Sequence, residues 1–311
     1  MKKRAQNVVA ESRLTLPTVL TYSILLWLAA GLVAEQWWIQ FVCFAVSTYL
    51  MAELNNSYAL IRIYSRMVSA SFLVLLCMTG LFSLTAGAIA QLCVVASYLT
   101  VFHCYQDKTA TGWTFYTFVL IGLASLVQVH ILYFVPFLWL LMLFNLQCMS
   151  WRTFFASIIG LLTPYWFGAC YFVYQGDFML LGEHFASLAV FQYPYDYASL
   201  DVRQVLTFAF VVAICLTGII HYVRNSYNDK IRTRQFYGCF ITMSLLVIVL
   251  LVVQPQHYDL LMRLLIINTS PLIAHFLSLT YTRITNVAFF VIVVVALALT
   301  IVNTWMPSLT F

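Results

Sequence analysis

The sequence predicts an all-α fold, a polytopic transmembrane helical bundle of about eleven spans. The first observation is composition: 63% of the 311 residues are hydrophobic, only 8% are charged, and the mean hydropathy is +0.94. A soluble domain carries about 25% charged residues, so this chain has too little polar surface to be covered by water. The second observation is length, because a membrane-crossing helix needs roughly 20 apolar residues and the chain has room for about eleven with short connections.

The apolar runs give the expected spans in chain order: 15–34, 37–51, 67–84, 87–104, 113–129, 131–146, 151–174, 205–222, 236–253, 260–279 and 284–306. The runs at 113–129 and 131–146 are separated only at His130, so they are either two spans or one broken helix. The basic N-terminus has no small-residue cleavage motif, which indicates an uncleaved first span. No soluble segment interrupts the series, and we expect residues 1–311 to form a single integral membrane domain.

The basic residues predict the orientation. With the N-terminus in the cytoplasm and eleven alternating spans, only Arg203 and Arg263 of the fifteen basic residues fall outside. The others fall inside: Lys2, Lys3, Arg4, Arg13, Arg62, Arg66, Lys108, Arg152, Arg224, Lys230, Arg232, Arg234 and Arg283. This is the bias of the positive-inside rule. It predicts a multi-pass protein of the bacterial inner membrane with its C-terminus outside, and it explains the net charge of +5 without nucleic acid.

One long polar segment, 175–203, is the main external loop in this threading. It holds four of the ten acidic residues. A carboxylate or histidine at a membrane surface can perform general acid–base chemistry, which makes Asp177, Glu183 and His184 candidate catalytic residues. The alternative is a solvated connector, in which 182–191 lies as an amphipathic helix on the bilayer surface.

Five further residues are candidate substrate-binding groups on the same face: Arg203, Arg263, Asp259, His257 and Tyr195. An arginine can hold a phosphate through its planar donors. Tyr195 belongs to the segment QYPYDY, whose tyrosines either anchor the loop at the membrane boundary or stack on a sugar ring. The spacing of acidic and histidine residues gives no metal-ligand signature, so no metal site is predicted.

The run at 260–279 combines charge and polarity inside an apolar segment. Asp259 and Arg263 are four residues apart and can pair on one helix face. The sequence NTSP at 268–271 then interrupts the run, and His275 follows one turn later. Polar residues at membrane depth often mark a proton or solute path. The alternative is a proline kink whose freed backbone groups are satisfied by the neighbouring Ser and Thr.

Other sequence signals exclude more than they assign. The chain has no P-loop, HExxH, GxSxG or GxGxxG motif, so no cofactor is identified and nucleotide hydrolysis, zinc proteolysis and nucleotide redox chemistry lack their usual markers. The eight cysteines lie in or beside apolar runs without a CxxC pair, as expected of small buried hydrophobic residues. Arg62 and Arg66 are placed to contact membrane lipid headgroups.

Residues 112–176 carry a resemblance. They resemble the middle of a family of uncharacterised polytopic bacterial membrane proteins. The resemblance is carried by Gly122–Leu126 (GLASL), an apolar run to Leu146, the basic turn at Arg152 and Gly160–Tyr165 (GLLTPY). More loosely, the stretch is similar to GT-C-type glycosyltransferases and O-antigen polymerase-like proteins. That likeness implies sugar transfer from a polyprenyl-phosphate donor at the outer face, with an acidic residue in a long first external loop. Here the first external turn is only Glu35–Gln36.

Three function classes follow from the sequence. The first is an enzyme acting on polyprenyl-phosphate-linked saccharides in cell-envelope glycan assembly. The second is a transporter or flippase that uses the polar break at 268–275. The third is a non-catalytic subunit of a membrane complex, whose polar residues serve packing and protein partners.

Overall fold

The computed structural model describes residues 4–175, 179–189 and 200–305. These residues form α-helices and short 3₁₀ segments, and no strand occurs among them. The predicted all-α class is therefore confirmed. In chain order the helices are α1 Ala5–Glu11, α2 Thr15–Ala29, α3 Trp38–Tyr58, α4 Met67–Met78, α5 Thr85–His103, α6 Thr111–Val127, α7 Val135–Phe144, α8 Trp151–Gln175, α9 Met179–Ala186, α10 Val202–Asn225, α11 Ile231–Val253, α12 Tyr258–Leu279 and α13 Arg283–Trp305.

Within the described ranges, six helices are long and apolar enough to cross a membrane: α5, α8, α10, α11, α12 and α13. Four shorter apolar helical stretches accompany them, namely Thr15–Ala29, Met67–Met78, Thr111–Val127 and Val129–Phe144. Many large apolar side chains on these helices are exposed, and such surfaces are stable in lipid rather than in water. The chain is a membrane-embedded protein.

Two compact units make up the chain. Unit 1 comprises residues 1–84 and 196–311, and unit 2 comprises residues 85–195. Unit 1 thus contains α1–α4 and α10–α13, and unit 2 contains α5–α9.

Helix α12 is the core of unit 1. Its apolar stretch is completely buried, and it packs against α1, α4, α10 and α11. Helix α13 is the opposite case, because only 17% of its apolar stretch is buried. A helix that is hydrophobic all round and enclosed belongs to a bundle interior, whereas a helix with an exposed apolar face is suited to lipid contact.

A non-helical segment follows α4 in unit 1, where the sequence predicts the span 67–84. Helix α4 ends at Met78, and Gly80 adopts a positive φ of 67°. Three side chains from other helices donate hydrogen bonds to carbonyl groups of this segment: Asn303 to Met78 at 2.7 Å, Arg263 to Leu81 at 2.5 Å and Gln40 to Ser83 at 2.9 Å. Backbone outside a helix is tolerated at membrane depth when protein groups satisfy it.

The connection between α2 and α3 is longer than the predicted two-residue turn. Helix α2 ends at Ala29, and Gly31 has a φ of 108°. Glycine takes this left-handed conformation without a β-carbon clash, and it commonly terminates helices. Helix α3 then continues to Tyr58, seven residues beyond the end of the predicted span 37–51.

Unit 2 is built on the close packing of α6 against α8. A β-carbon at Gly160 would lie 2.5 Å from the Phe115 carbonyl oxygen, and one at Gly122 would lie 2.7 Å from the Leu161 carbonyl oxygen. Small residues let helix backbones approach in membranes, where lipid competes for apolar contacts. The glycines of the two motifs in 112–176 thus lie at the same helix interface, each against the backbone of the other helix.

The structure also resolves the ambiguity at 113–146 into two elements. After α6 the backbone is extended at Gln128, and a 3₁₀ segment, Val129–Phe134, leads into α7. The rings of Phe118 in α6 and Trp139 in α7 lie 6.3 Å apart. A continuous helix would separate them by about 31 Å at 1.5 Å per residue, so the chain turns back between α6 and α7.

Candidate functional site

Two of the predicted catalytic residues lie on α9 in unit 2. Glu183 is exposed, and the Nε2 atom of half-buried His184 lies 3.0 Å from the Ser125 carbonyl oxygen. Because a carbonyl only accepts, this nitrogen carries a proton and donates it. The Tyr165 hydroxyl donates to Oγ of the same Ser125 at 2.9 Å. His184 is therefore held against α6 and α8. Asp177 and Tyr195 lie outside the described residues.

Arg203 belongs to the N-terminal cap of α10 in unit 1. Asp201 caps the helix in a reciprocal arrangement with Gln204, which satisfies amide groups that have no partner within the helix. The Arg203 Nε atom donates to Asp201 Oδ2 at 2.7 Å. A carboxylate thus already neutralises the guanidinium predicted to bind phosphate.

Arg263 is also paired, and the predicted partner is confirmed. Its Nε atom donates to Asp259 Oδ1 at 3.1 Å, and its side chain is only 3% exposed. A second guanidinium nitrogen holds the Leu81 carbonyl at 2.5 Å. Arg263 joins α12 to the non-helical segment after α4, which is a structural task. His257 is half-buried in the 3₁₀ turn before α12, with Nε2 3.5 Å from the Gln256 side chain.

The polar sequence at 268–271 does not interrupt the helix. Helix α12 is continuous through Pro271. Asn268 donates to the Leu264 carbonyl at 2.7 Å, and Ser270 donates to the Ile266 carbonyl at 2.6 Å. Both side chains are therefore satisfied within their own helix, as serine and threonine often are.

His275 is a polar residue of α12 that contacts an acidic side chain in another part of the chain. Its Nε2 atom lies 3.0 Å from Oδ2 of Asp229, in the connection between α10 and α11. The side chains are 1% and 4% exposed. A carboxylate in such a position is stabilised only by a partner that donates a hydrogen bond or carries positive charge.

Aromatic and imidazole rings surround this pair. The Tyr222 and Tyr237 rings stack with their centroids 4.3 Å apart, and both meet His275 nearly edge-on, at 5.0 and 5.2 Å. The His221 ring lies 5.5 Å from that of His275. We call these residues, Asp229, His275, His221, Tyr222 and Tyr237, the α12 cluster.

Three buried polar atoms of the α12 cluster have no hydrogen-bond partner in the described part of the chain: His275 Nδ1, His221 Nδ1 and the Tyr222 hydroxyl. Buried polar atoms are nearly always satisfied by protein or by water. Three such atoms lie around one histidine–carboxylate pair, so the α12 cluster has unused hydrogen-bonding capacity within the described residues.

This arrangement is suited to proton binding. When the imidazole is neutral with its proton on Nε2, it donates to Asp229, and the lone pair of Nδ1 is then an acceptor. A proton that arrives at Nδ1 converts the ring to imidazolium, and the adjacent carboxylate balances the new charge. The pair changes from one negative charge to none without the loss of its hydrogen bond.

Sequence reasoning identified His275 and missed its partner. Asp229 is the only acidic residue in the basic run 224–235, which is a weak signal. It lies 46 residues from His275, and no periodicity relates the two. In the portion that the structure describes, no group of three or more His, Cys, Asp or Glu side chains is arranged to hold a metal ion.

No protein-family model, curated protein or solved structure matches the chain. The resemblance of 112–176 to glycosyltransferases remains an expectation drawn from those residues.

Proposed function

We propose that the chain is an inner-membrane transporter that couples solute movement to the binding and release of a proton by the α12 cluster. We further propose that it crosses the bacterial membrane eleven times, with its N-terminus in the cytoplasm and its C-terminus outside. The eleven spans are α2 to α8, with the preceding 3₁₀ segment joined to α7, and α10 to α13.

The proposed orientation rests on the distribution of charge. It leaves only Arg203 and Arg263 of the fifteen basic residues outside the cytoplasm, and each of these forms an ion pair with an aspartate. The α10–α11 connection, which holds Asp229 and Lys230, then faces the cytoplasm, as do Arg224, Arg232 and Arg234 at the adjoining helix ends. The α12 cluster lies at the cytoplasmic end of α12, and the Asp259–Arg263 pair lies at the outer end.

The observation that carries the transport proposal is the buried His275–Asp229 pair. Ionisable residues inside membrane helices usually pair with one another, and they mark proton relays and substrate paths. Helix α12 is enclosed by four helices, so a proton on His275 is separated from lipid. The unpartnered atoms of His221 and Tyr222 supply further positions for a water-borne proton.

The enzyme hypothesis draws less support from the described residues. The residues predicted to bind the substrate phosphate are Arg203 and Arg263. Both arginines are bound by carboxylates, which compete with a substrate phosphate. A reaction on polyprenyl-phosphate-linked saccharides therefore remains a prediction of the sequence.

Thiol labelling from the two sides of the membrane tests the transport proposal. Single cysteines replace Thr269 or Ala274, both 0% exposed, in a variant without native cysteines, and a membrane-impermeant reagent is applied to sealed vesicles of either orientation. We expect labelling from at least one side, with a pH dependence that differs from that of an exposed cysteine, whose labelling rate follows thiolate formation alone. The proposal would be contradicted if neither position were labelled from either side at any pH.

Two exposed residues serve as orientation controls in the same assay. We expect a cysteine at Glu183 to react from the outside, and a cysteine at Tyr227, which is 74% exposed, to react from the cytoplasm. The reverse pattern would overturn the proposed threading.

A further inference from the structure

An apolar slot penetrates unit 1 on the side of α2 and α13. Its volume is about 250 Å³, and it is lined by side chains of α1, α2, α4, α10, α12 and α13. Almost all of this lining is hydrocarbon, and the polar exceptions are Thr15, Thr18, Tyr22 and Ser71. We call this cavity the α2–α13 slot.

The surroundings of the slot determine what can enter it. Helices α2 and α13 turn apolar residues outward on either side, among them Leu25 at 61% and Val294 at 63% exposure. In a membrane these faces lie in the hydrocarbon layer. An apolar cavity is not a stable site for water, which needs two to four polar partners.

The size of the slot favours a single hydrocarbon chain over a protein helix. Its α13 wall runs from Phe289 to Leu297, which is about 12 Å of helix at 1.5 Å per residue. Together with the open space at its mouth the slot measures about 920 Å³, which is still less than the roughly 940–1,360 Å³ that an inserted helix of that length and about 10–12 Å in diameter occupies. A flexible chain of methylene groups follows so narrow a space without loss of hydrogen bonds.

The two ends of the slot differ chemically. At one end the Tyr22 hydroxyl donates to Thr300 Oγ1 at 3.2 Å and bridges α2 to α13. At the other end lies α1. Gln6 Nε2 donates to the Leu277 carbonyl at 2.6 Å, and the Gln6 amide donates to Asn286 Oδ1 at 3.1 Å.

Positive charge is concentrated at the α1 end. Arg13 is exposed two residues before Thr15, a wall residue, and Arg283 is exposed at the first position of α13, about two turns before Phe289. Cations at the membrane surface attract anionic headgroups, at about 1 kcal/mol for each basic residue.

We propose that the α2–α13 slot binds one hydrocarbon chain of an anionic phospholipid, with the phosphate of its headgroup between Arg13 and Arg283. The site is independent of the α12 cluster. It requires neither a proton nor a solute, so its failure would leave the transport proposal intact.

Binding of phosphatidylglycerol to the purified full-length protein, measured by native mass spectrometry in detergent, tests this site. The probe is compared with phosphatidylcholine of identical chains. Val293→Phe fills the slot from α13, and Val294→Phe adds the same ring on the adjacent, outward-facing position. We expect wild type and Val294→Phe to retain one tightly bound phosphatidylglycerol, and Val293→Phe to bind it on the order of tenfold more weakly, since several methylene contacts are lost.

The proposed binding of the headgroup phosphate is tested by the double variant Arg13→Gln/Arg283→Gln. It should lose the preference for phosphatidylglycerol over phosphatidylcholine, whereas Arg152→Gln, an exposed arginine of unit 2, should keep it. If Val293→Phe does not fold, as judged by its thermal transition in lipid-free detergent, Ser71→Leu fills the slot from α4. Equal lipid binding by slot-filled and control variants would show only peripheral lipid and would overturn the proposal.

Discussion

The Nε2 atom of His275 lies 3.0 Å from Oδ2 of Asp229, and the two side chains are 1% and 4% exposed. This contact fixes the connection between α10 and α11 onto the most buried helix of unit 1. The same geometry can tether two elements or hold a transferable proton. Substitutions that keep the hydrogen bond and remove the charge separate these roles.

The tether is expected to depend on the hydrogen bond more than on the charge. Asp229→Ala leaves His275 Nε2 buried without an acceptor, and removing one member of a buried pair lowers the free energy of unfolding by about 3–5 kcal/mol. Asp229→Asn retains an acceptor oxygen and should be less destabilising. Thermal unfolding in detergent measures both. An equal decrease in the free energy of unfolding in the two variants would show that the charge, rather than the hydrogen bond, stabilises the contact.

Tyr222 should contribute to proton movement without contributing to stability through its hydroxyl. That hydroxyl is buried and has no partner in the described residues, so Tyr222→Phe removes a polar atom whose burial is unfavourable. We expect an unchanged or slightly higher unfolding temperature together with slower pH-dependent labelling at position 274. Tyr227→Phe, which changes an exposed tyrosine in the connection between α10 and α11, is the control. A clear loss of stability in Tyr222→Phe would indicate a structural hydrogen bond instead.

Arg263 should be a structural residue. Arg263→Met leaves Asp259 and the Leu81 carbonyl without this donor, and we expect the free energy of unfolding to fall by about 3–5 kcal/mol. Arg203→Met removes a more exposed pair and should lower it by about 1 kcal/mol or less. Denaturant or thermal unfolding of the two variants gives the comparison. A stable Arg263→Met protein that had lost binding of a phosphate-bearing lipid would instead support the predicted substrate-binding role.

The α6–α8 interface should tolerate no β-carbon at its glycines. Gly160→Ala places a methyl group 2.5 Å from the Phe115 carbonyl oxygen, and overpacking of this kind lowers the free energy of unfolding by about 1–3 kcal/mol. Gly112→Ala meets no atom within 4 Å and is the matched control. Equal unfolding temperatures for the two variants would mean that the helices are less closely packed.

Hydropathy and local spacing predicted the features of this chain that depend on neighbouring residues. The apolar runs located the long helices, and the four-residue spacing of Asp259 and Arg263 predicted their ion pair. The early ends of α2 and α4 were missed because they depend on positive-φ glycines, and in α4 also on distant donors such as Asn303. The His275–Asp229 contact was missed because the two residues meet only through the packing of α10, α11 and α12.

Proton flux into proteoliposomes tests the central claim most directly. Vesicles that contain the protein and an internal pH indicator are exposed in turn to sugars, amino acids, organic anions and inorganic cations. We predict that at least one solute class drives proton movement in the wild type, and that His275→Gln and Asp229→Asn, which keep the hydrogen bond but not the titratable pair, abolish it. Absence of solute-dependent flux in every class, or flux that persists in both variants, would contradict proton coupling through this pair.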